Sequence, residues 1–214
     1  MKREIIIVNF YSVSWVGILI LLRRYEMNIC VYGSSSDDID KKYIEATERL
    51  GELMAEHGHG LVFGGGARGL MGAAARGVAG KNGNIIGVAP GFFNVDGRLF
   101  DKCTEFITTD TMRERKAIME DRADAFIVTP GGMGTFEEFF EILTLKELGR
   151  HGKAIVIFNI DGYYDKLIQM LDESVEKKFM VPAIREIYTV IDDEEEILKY
   201  LEGYKTEVGK VFKF

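Results

Sequence analysis

The sequence predicts a doubly wound parallel sheet with helices on both faces, a three-layer α/β/α fold, and three observations carry that prediction. Short β-branched runs alternate with longer amphipathic stretches from Met27 onward. Glycine clusters follow two of the buried runs, at Gly64-Gly65-Gly66 and Gly131-Gly132-Met133-Gly134, where such folds turn from strand into helix. The chain has 214 residues, 47% of them apolar, enough for one α/β domain with a full core and too few for two large ones.

Ile29 to Tyr32 reads as the first strand, running into a glycine turn at Gly33-Ser34. Asp40 to His57 reads as a helix, with Ile44, Leu50, Leu53 and Met54 on or near its inner face. Gly60 to Phe63 is the second strand. Gly69 to Ala79 is a small-residue helix that can pack closely on the sheet, and Asn84 to Val88 is the third strand. Ala89 to Lys102 has aromatic residues but no helical period, and reads as a loop. Glu105 to Thr108 is a short strand and Thr111 to Asp121 a helix. Ala125 to Val128 is a buried strand ending at Pro130, and Thr135 to Leu148 is the helix that follows. Ala154 to Phe158, Tyr163 to Lys178, Ile187 to Ile191 and Asp193 to Tyr204 complete the alternation. With no internal repeat or low-complexity linker, residues 27–214 read as one domain of Rossmann-like fold.

Residues 1–26 stand apart. Ile5 to Leu22 is an uncharged, mostly apolar run flanked by Lys2-Arg3 and Arg23-Arg24, the pattern of a signal anchor of borderline length. The competing reading makes Met27 the natural start and the preceding residues an upstream extension. It is favoured because a central strand can hardly begin four residues from a bilayer. A cytoplasmic protein is therefore expected, with no membrane contact unless residues 5–22 are a real anchor.

Charge narrows the partners. A formal net charge of −7 argues against a nucleic-acid surface, whose affinity rests on neutralising phosphates. A small anion needs only a few donors at a helix N-terminus. Cys30 and Cys103 have no metal-ligand spacing and read as reduced thiols. No metal is expected, since His57 and His59 would need a third partner and His151 lies far along the chain.

The motifs carry the chemistry. Gly64-Gly65-Gly66-Ala67-Arg68-Gly69 satisfies GxGxxG, but no acidic residue ends the next strand to take a ribose hydroxyl, which counts against NAD. Pro130-Gly131-Gly132-Met133-Gly134-Thr135 leaves backbone amides unobstructed at a helix start, with Thr135 placed to cap the helix or bind phosphate. No GK[ST] follows, so a monophosphate suits it better than a triphosphate. Glu138 then falls on the first turn of that helix, beside the anion, with Glu141 three residues on. Arg113, Arg115 and Lys116 start another helix against its dipole, which calls for an anionic ligand or carboxylate partners; Arg113 reads as solvated.

Three motifs occur together and in order: GGGxxGLMG at Gly64 to Gly72, MxxRK at Met112 to Lys116, and PGGxGTxxE at Pro130 to Glu138. On these the chain resembles the LOG family of cytokinin riboside 5′-monophosphate phosphoribohydrolases, long mislabelled as lysine decarboxylases. The resemblance spans about Met27 to Phe179. It implies hydrolysis of the N-glycosidic bond of a nucleoside 5′-monophosphate (AMP or an N6-modified AMP), with Arg115 and Glu138 as the catalytic pair and no cofactor. It implies a phosphate site of Gly65, Gly66, Gly131, Gly132, Gly134 and Thr135, with Lys116 assisting. Gly33, Ser34 and Met112 complete the expected substrate contacts, and a homodimer is expected. The chain departs from the family at Arg113 (histidine), Leu145 (tryptophan), Glu147 (glutamine) and Ala154 (proline), which puts base preference and assembly in question. Two other classes compete: a nucleotide or cofactor carrier of the same fold, which predicts loss of the Arg/Glu pair present here, and a lysine decarboxylase, which needs a pyridoxal-bearing lysine with an acidic partner that no motif supplies.

Overall fold

The computed structural model describes residues 27–93 and 98–206. The segment 1–26, read above as an extension or an anchor, lies outside the described residues.

Seven strands form one sheet, all pairs parallel, in the order β4-β3-β2-β1-β5-β6-β7. They are β1 (Asn28–Tyr32), β2 (Gly60–Phe63), β3 (Ile85–Pro90), β4 (Glu105–Thr109), β5 (Ala125–Val128), β6 (Ala154–Phe158) and β7 (Thr189–Ile191). The helices are α1 (Lys41–Glu56), α2 (Gly69–Gly80), α3 (Met112–Arg122), α4 (Met133–Glu147), α5 (Asp165–Glu176) and α6 (Glu194–Gly203). The chain winds outward from β1 through β2, β3 and β4, then returns to lay β5 on the other side of β1. At such a reversal the loops leaving the two central strands diverge and open a crevice at their carboxyl ends.

Alternating strand residues feed two cores. Ile29 and Val31 enter the layer formed with α1, α2 and α6, through residues such as Leu50, Val78 and Leu198. Cys30 and Tyr32 enter the layer formed with α3, α4 and α5, through Met119, Phe139 and Leu171. Burial of both sheet faces explains why the strands read as continuous apolar runs. The small residues of α2 let it press on α1. A Cβ on Gly51 would overlap the Ala74 carbonyl oxygen, and one on Gly77 would overlap that of Glu48.

Several boundaries differ from the sequence reading. Gly132, not Thr135, takes the N-cap of α4, so Glu138 lies in the second turn and the first turn carries no acid. The segment 89–102 is not wholly irregular: β3 runs on to Pro90, Gly91–Phe93 is a 3-10 turn, and Leu99 bridges antiparallel to Gly66. Tyr163 and Tyr164 precede α5 rather than open it, because Asp161 and Gly162 turn the chain with positive φ just before them. Pro182–Glu186 forms a 3-10 turn, delaying the last strand to Thr189.

The histidine pair finds a third partner. His57 Nδ1 lies 2.8 Å and His59 Nε2 3.3 Å from the same Glu202 oxygen. The other ring nitrogen of His59, however, accepts the Met27 N–H at 3.3 Å. A metal-bound imidazole turns a protonated second nitrogen toward an acceptor. This contact is the reverse, so the hydrogen-bond pattern assigns the His59 proton to Nε2, donating to Glu202. The cluster ties the end of α6 to the α1–β2 junction, and the bond to His57 leads in holding the Glu202 carboxyl below its ordinary pKa.

Candidate active site

The crevice holds a cavity of about 590 Å³, bordered by Gly33 to Ser36 after β1, Gly64, Gly66 and Arg68 after β2, and Gly132 to Thr135 at the start of α4. Met112 and Arg115 reach it from α3 and Glu138 from α4, while Phe93, Arg98 and Leu99 lie on its other side.

Three helices begin at this cavity, and two of them, α2 and α4, spend their first amides differently. In α2, Gly69 N–H donates to Asp37 Oδ1 at 2.8 Å, and Leu70 and Met71 donate to the Ser34 carbonyl at 2.8 and 3.3 Å. In α4 the first intrahelical donor of this kind is Phe136, to the Gly132 carbonyl at 3.0 Å, and Gly132 has no side chain with which to cap the amides before it. The amides of Met133, Gly134 and Thr135 therefore sit at the positive end of α4, on the cavity wall. Of the helices that start away from the two glycine loops, α1, α3 and α6 are capped by side chains, from Asp40, Thr111 and Asp193, while α5 has no side-chain cap.

Arg115 and Glu138 form a buried ion pair, Nη1 to Oε1 at 3.0 Å, with side chains 8% and 9% exposed. Arg115 also donates from Nε to the Val88 carbonyl at 3.3 Å, which fixes the guanidinium plane. Its seat requires Gly64, since a Cβ there would overlap the guanidinium. Burial raises the Glu138 pKa, and Arg115 only partly offsets this. The next residue on α3 behaves differently. Lys116 pairs with Glu137 and with Glu141 (2.6 Å), away from the cavity; Glu137 is exposed and Glu141 half-buried. Burial pulls the Lys116 ammonium down, but its two carboxylates outweigh that and hold it above the ordinary value. The start of α3 is stabilised by a capping box between Thr111 and Glu114, so its cations have both a cap and carboxylate partners. Arg113 is exposed.

Of the residues singled out from the sequence, Gly33, Ser34, Gly66, Met112, Arg115, Gly132, Gly134, Thr135 and Glu138 border the cavity. Gly65, Lys116 and Gly131 do not. Gly65 turns the chain at a φ of 74°, its α-carbon facing the Phe106 ring and Ala89. Gly131 is buried behind the wall, where a Cβ would overlap the Thr135 hydroxyl. Ser35, Ser36, Arg68, Arg98, Phe93 and Met133 also border the cavity, and the sequence reading passed over them. The run of three serines beside a glycine turn was a usable signal; Arg98, in a stretch without period, was not.

This chain is 35% identical over 196 residues to the rice (Oryza sativa subsp. japonica) protein named "Probable cytokinin riboside 5'-monophosphate phosphoribohydrolase LOGL6", covering 92% of this chain and 78% of that one. It is 36% identical over 183 residues to the Arabidopsis thaliana protein named "Cytokinin riboside 5'-monophosphate phosphoribohydrolase LOG7", covering 86% of this chain and 84% of that one. The chain belongs to the LOG family. The family model that matches residues 71–201 is described as "Possible lysine decarboxylase". None of the described residues bordering the cavity is a lysine, so its wall offers no amine for a pyridoxal Schiff base. Solved structures share the fold of this LOG family chain at lower identity. The molybdenum cofactor carrier protein of Chlamydomonas reinhardtii has a TM-score of 0.64 at 23% identity, covering 84% of this chain and 99% of that one. The molybdenum cofactor binding protein of Rippkaea orientalis has a TM-score of 0.62 at 19% identity, covering 85% and 97%. The LOG family departures fall at exposed Arg113, half-buried Leu145 and Glu147, and buried Ala154 in β6, and none of the four borders the cavity.

Proposed function

We propose that this chain hydrolyses the N-glycosidic bond of a nucleoside 5′-monophosphate, AMP or an N6-modified AMP, to free base and ribose 5-phosphate. The observation that carries this reading is the buried Arg115–Glu138 pair on the wall of a cavity that also meets the amide end of α4. Family membership supports it, the named relatives being phosphoribohydrolases of a cytokinin riboside 5′-monophosphate.

In this reading the phosphate is held by the amides of Gly132 to Thr135, with Thr135, and the loops at Gly33-Ser34 and Gly66 close over the sugar. Binding energy at the phosphate then positions the ribose. Water adds to C1′, the C1′–N bond breaks, its electron pair passes to the base nitrogen, and a water proton ends on the base. Glu138 acts as carboxylate, stabilising the oxocarbenium-like state and orienting the water. Arg115 hydrogen-bonds the departing base as its negative charge grows; its high pKa makes it a poor proton donor. Gly65, Gly131 and Lys116 keep supporting roles from behind the wall. The reading includes a homodimer in the cytoplasm, which light scattering and cell fractionation test directly.

The deciding assay offers a panel of nucleoside monophosphates and measures free base and ribose 5-phosphate. Glu138→Gln and Arg115→Ala are expected to reduce turnover on the order of 100-fold or more. Near wild-type turnover in both variants sinks the assignment. Because the carboxylate form is the active one and burial raises its pKa, the acid limb of turnover should lie above the ordinary glutamate value. A wild-type acid limb at or below that value contradicts the role given to Glu138. A carrier without hydrolysis would retain nucleotide and release no base in the same panel.

A further inference from the structure

We infer that Tyr163 and Tyr164, outside the cavity, are positioning residues that keep the Thr129–Gly131 backbone turned so that the α4 amides face a phosphate. Three consecutive carbonyls of the loop leading into α4 are each engaged by a donor. Thr129 O accepts the Tyr164 hydroxyl at 2.7 Å, Pro130 O accepts the Ser34 N–H at 3.0 Å, and Gly131 O accepts the Tyr163 hydroxyl at 2.7 Å. A carbonyl oxygen that swings toward an anion repels it, and each of these bonds holds one oxygen to a protein donor instead.

The clamp is built for rigidity. The two rings stand edge to face, 4.9 Å between centroids at 88°. Tyr164 is 1% exposed, so its hydroxyl and the Thr129 carbonyl have no ready replacement partners. Adjacent residues would normally point apart, and the turn before them makes the convergence possible. Asp161 takes a φ of 52°, unusual for a residue other than glycine, and is held by an ion pair with Lys42 from α1. Asn159 then accepts the Tyr164 N–H at 2.7 Å and donates to Asp165 at 2.8 Å. A strained turn thus delivers two hydroxyls, more than 30 residues along the chain, to alternate carbonyls of the anion loop.

This inference rests on the proposed phosphate site but not on hydrolysis. The test is calorimetric titration of inorganic phosphate and of ribose 5-phosphate into the full chain and into Tyr163→Phe, Tyr164→Phe and Tyr188→Phe. Tyr188 lies in the same core, its ring edge to face with Phe139. Each clamp variant is expected to weaken both ligands about fivefold, and Tyr188→Phe not at all. In turnover, the clamp variants should raise KM for a nucleoside monophosphate while leaving kcat within about twofold, a split that general loosening would not give. Unchanged phosphate affinity in both clamp variants overturns the inference, as does equal weakening in the control or a wild-type chain that binds neither ligand. If phosphate binding shows the effect and no base is released from any nucleotide, the hydrolase reading falls and the clamp stands.

Discussion

The two glycine loops look interchangeable in sequence, yet they do opposite things with their hydrogen bonds. The loop after β2 gives its amides to the protein: Ala67 to the Arg98 carbonyl at 2.9 Å, Gly69 to Asp37, Leu70 and Met71 to Ser34. Its glycines make room, above all Gly64 for the Arg115 guanidinium. The loop after β5 has its carbonyls occupied and leaves its amides at the cavity. One loop is a seat for a side chain and the other a seat for an anion. Glycine content does not separate these roles; accounting for each backbone donor and acceptor does.

That contrast can be broken first at Gly134, whose α-carbon has open space around it. Gly134→Asp puts a carboxylate at the start of α4, where the dipole favours it but a bound phosphate would not. The melting temperature should hold or rise while KM for a nucleoside monophosphate increases on the order of 100-fold at low salt. Loss of both stability and affinity together would contradict a dedicated anion seat. The other loop is tested by Gly64→Ala. Displacing Arg115 from Glu138 should lower kcat by about 10- to 100-fold with phosphate affinity unchanged, a difference read by steady-state kinetics alongside titration. The smallest effect is expected from Asp37→Ala, which frees the Gly69 amide and the Arg68 partner. Stability should drop by about 1 kcal/mol in urea unfolding, with phosphate affinity intact. If Asp37→Ala instead abolishes phosphate binding, the first loop takes part in holding the anion.

Much of the fold was legible because buried parallel strands announce themselves as apolar runs. β2, β5 and β6 fall on the residues the pattern indicated, and the glycine clusters mark where strands hand over to helices. The starts of α4 and α5 were not legible. A cap glycine looks like any loop glycine, and the turn at Asp161 depends on an ion pair with a residue from α1. The site was half legible. Arg115 and Glu138 were named from motifs, and that they lie 3.0 Å apart follows from the return of the chain to β5, which no local pattern encodes. Lys116 sat beside Arg115 in the same motif, yet one residue along α3 rotates it by about 100° and sends it to the outer carboxylates. Arg98 and Phe93 reached the cavity from a stretch without period, where sequence offers no handle on direction.

The contact between α1 and α2 has a consequence for any mutational survey of this chain. Gly51 and Gly77 each press an α-carbon against the neighbouring helix's carbonyls, so every larger residue there must push the two helices apart. A deep scan scored by growth or activity would rank both positions with Arg115 and Glu138. Intolerance to change would then mark two unrelated things, a helix spacing and a reaction, and only a readout of folded protein per variant would tell them apart.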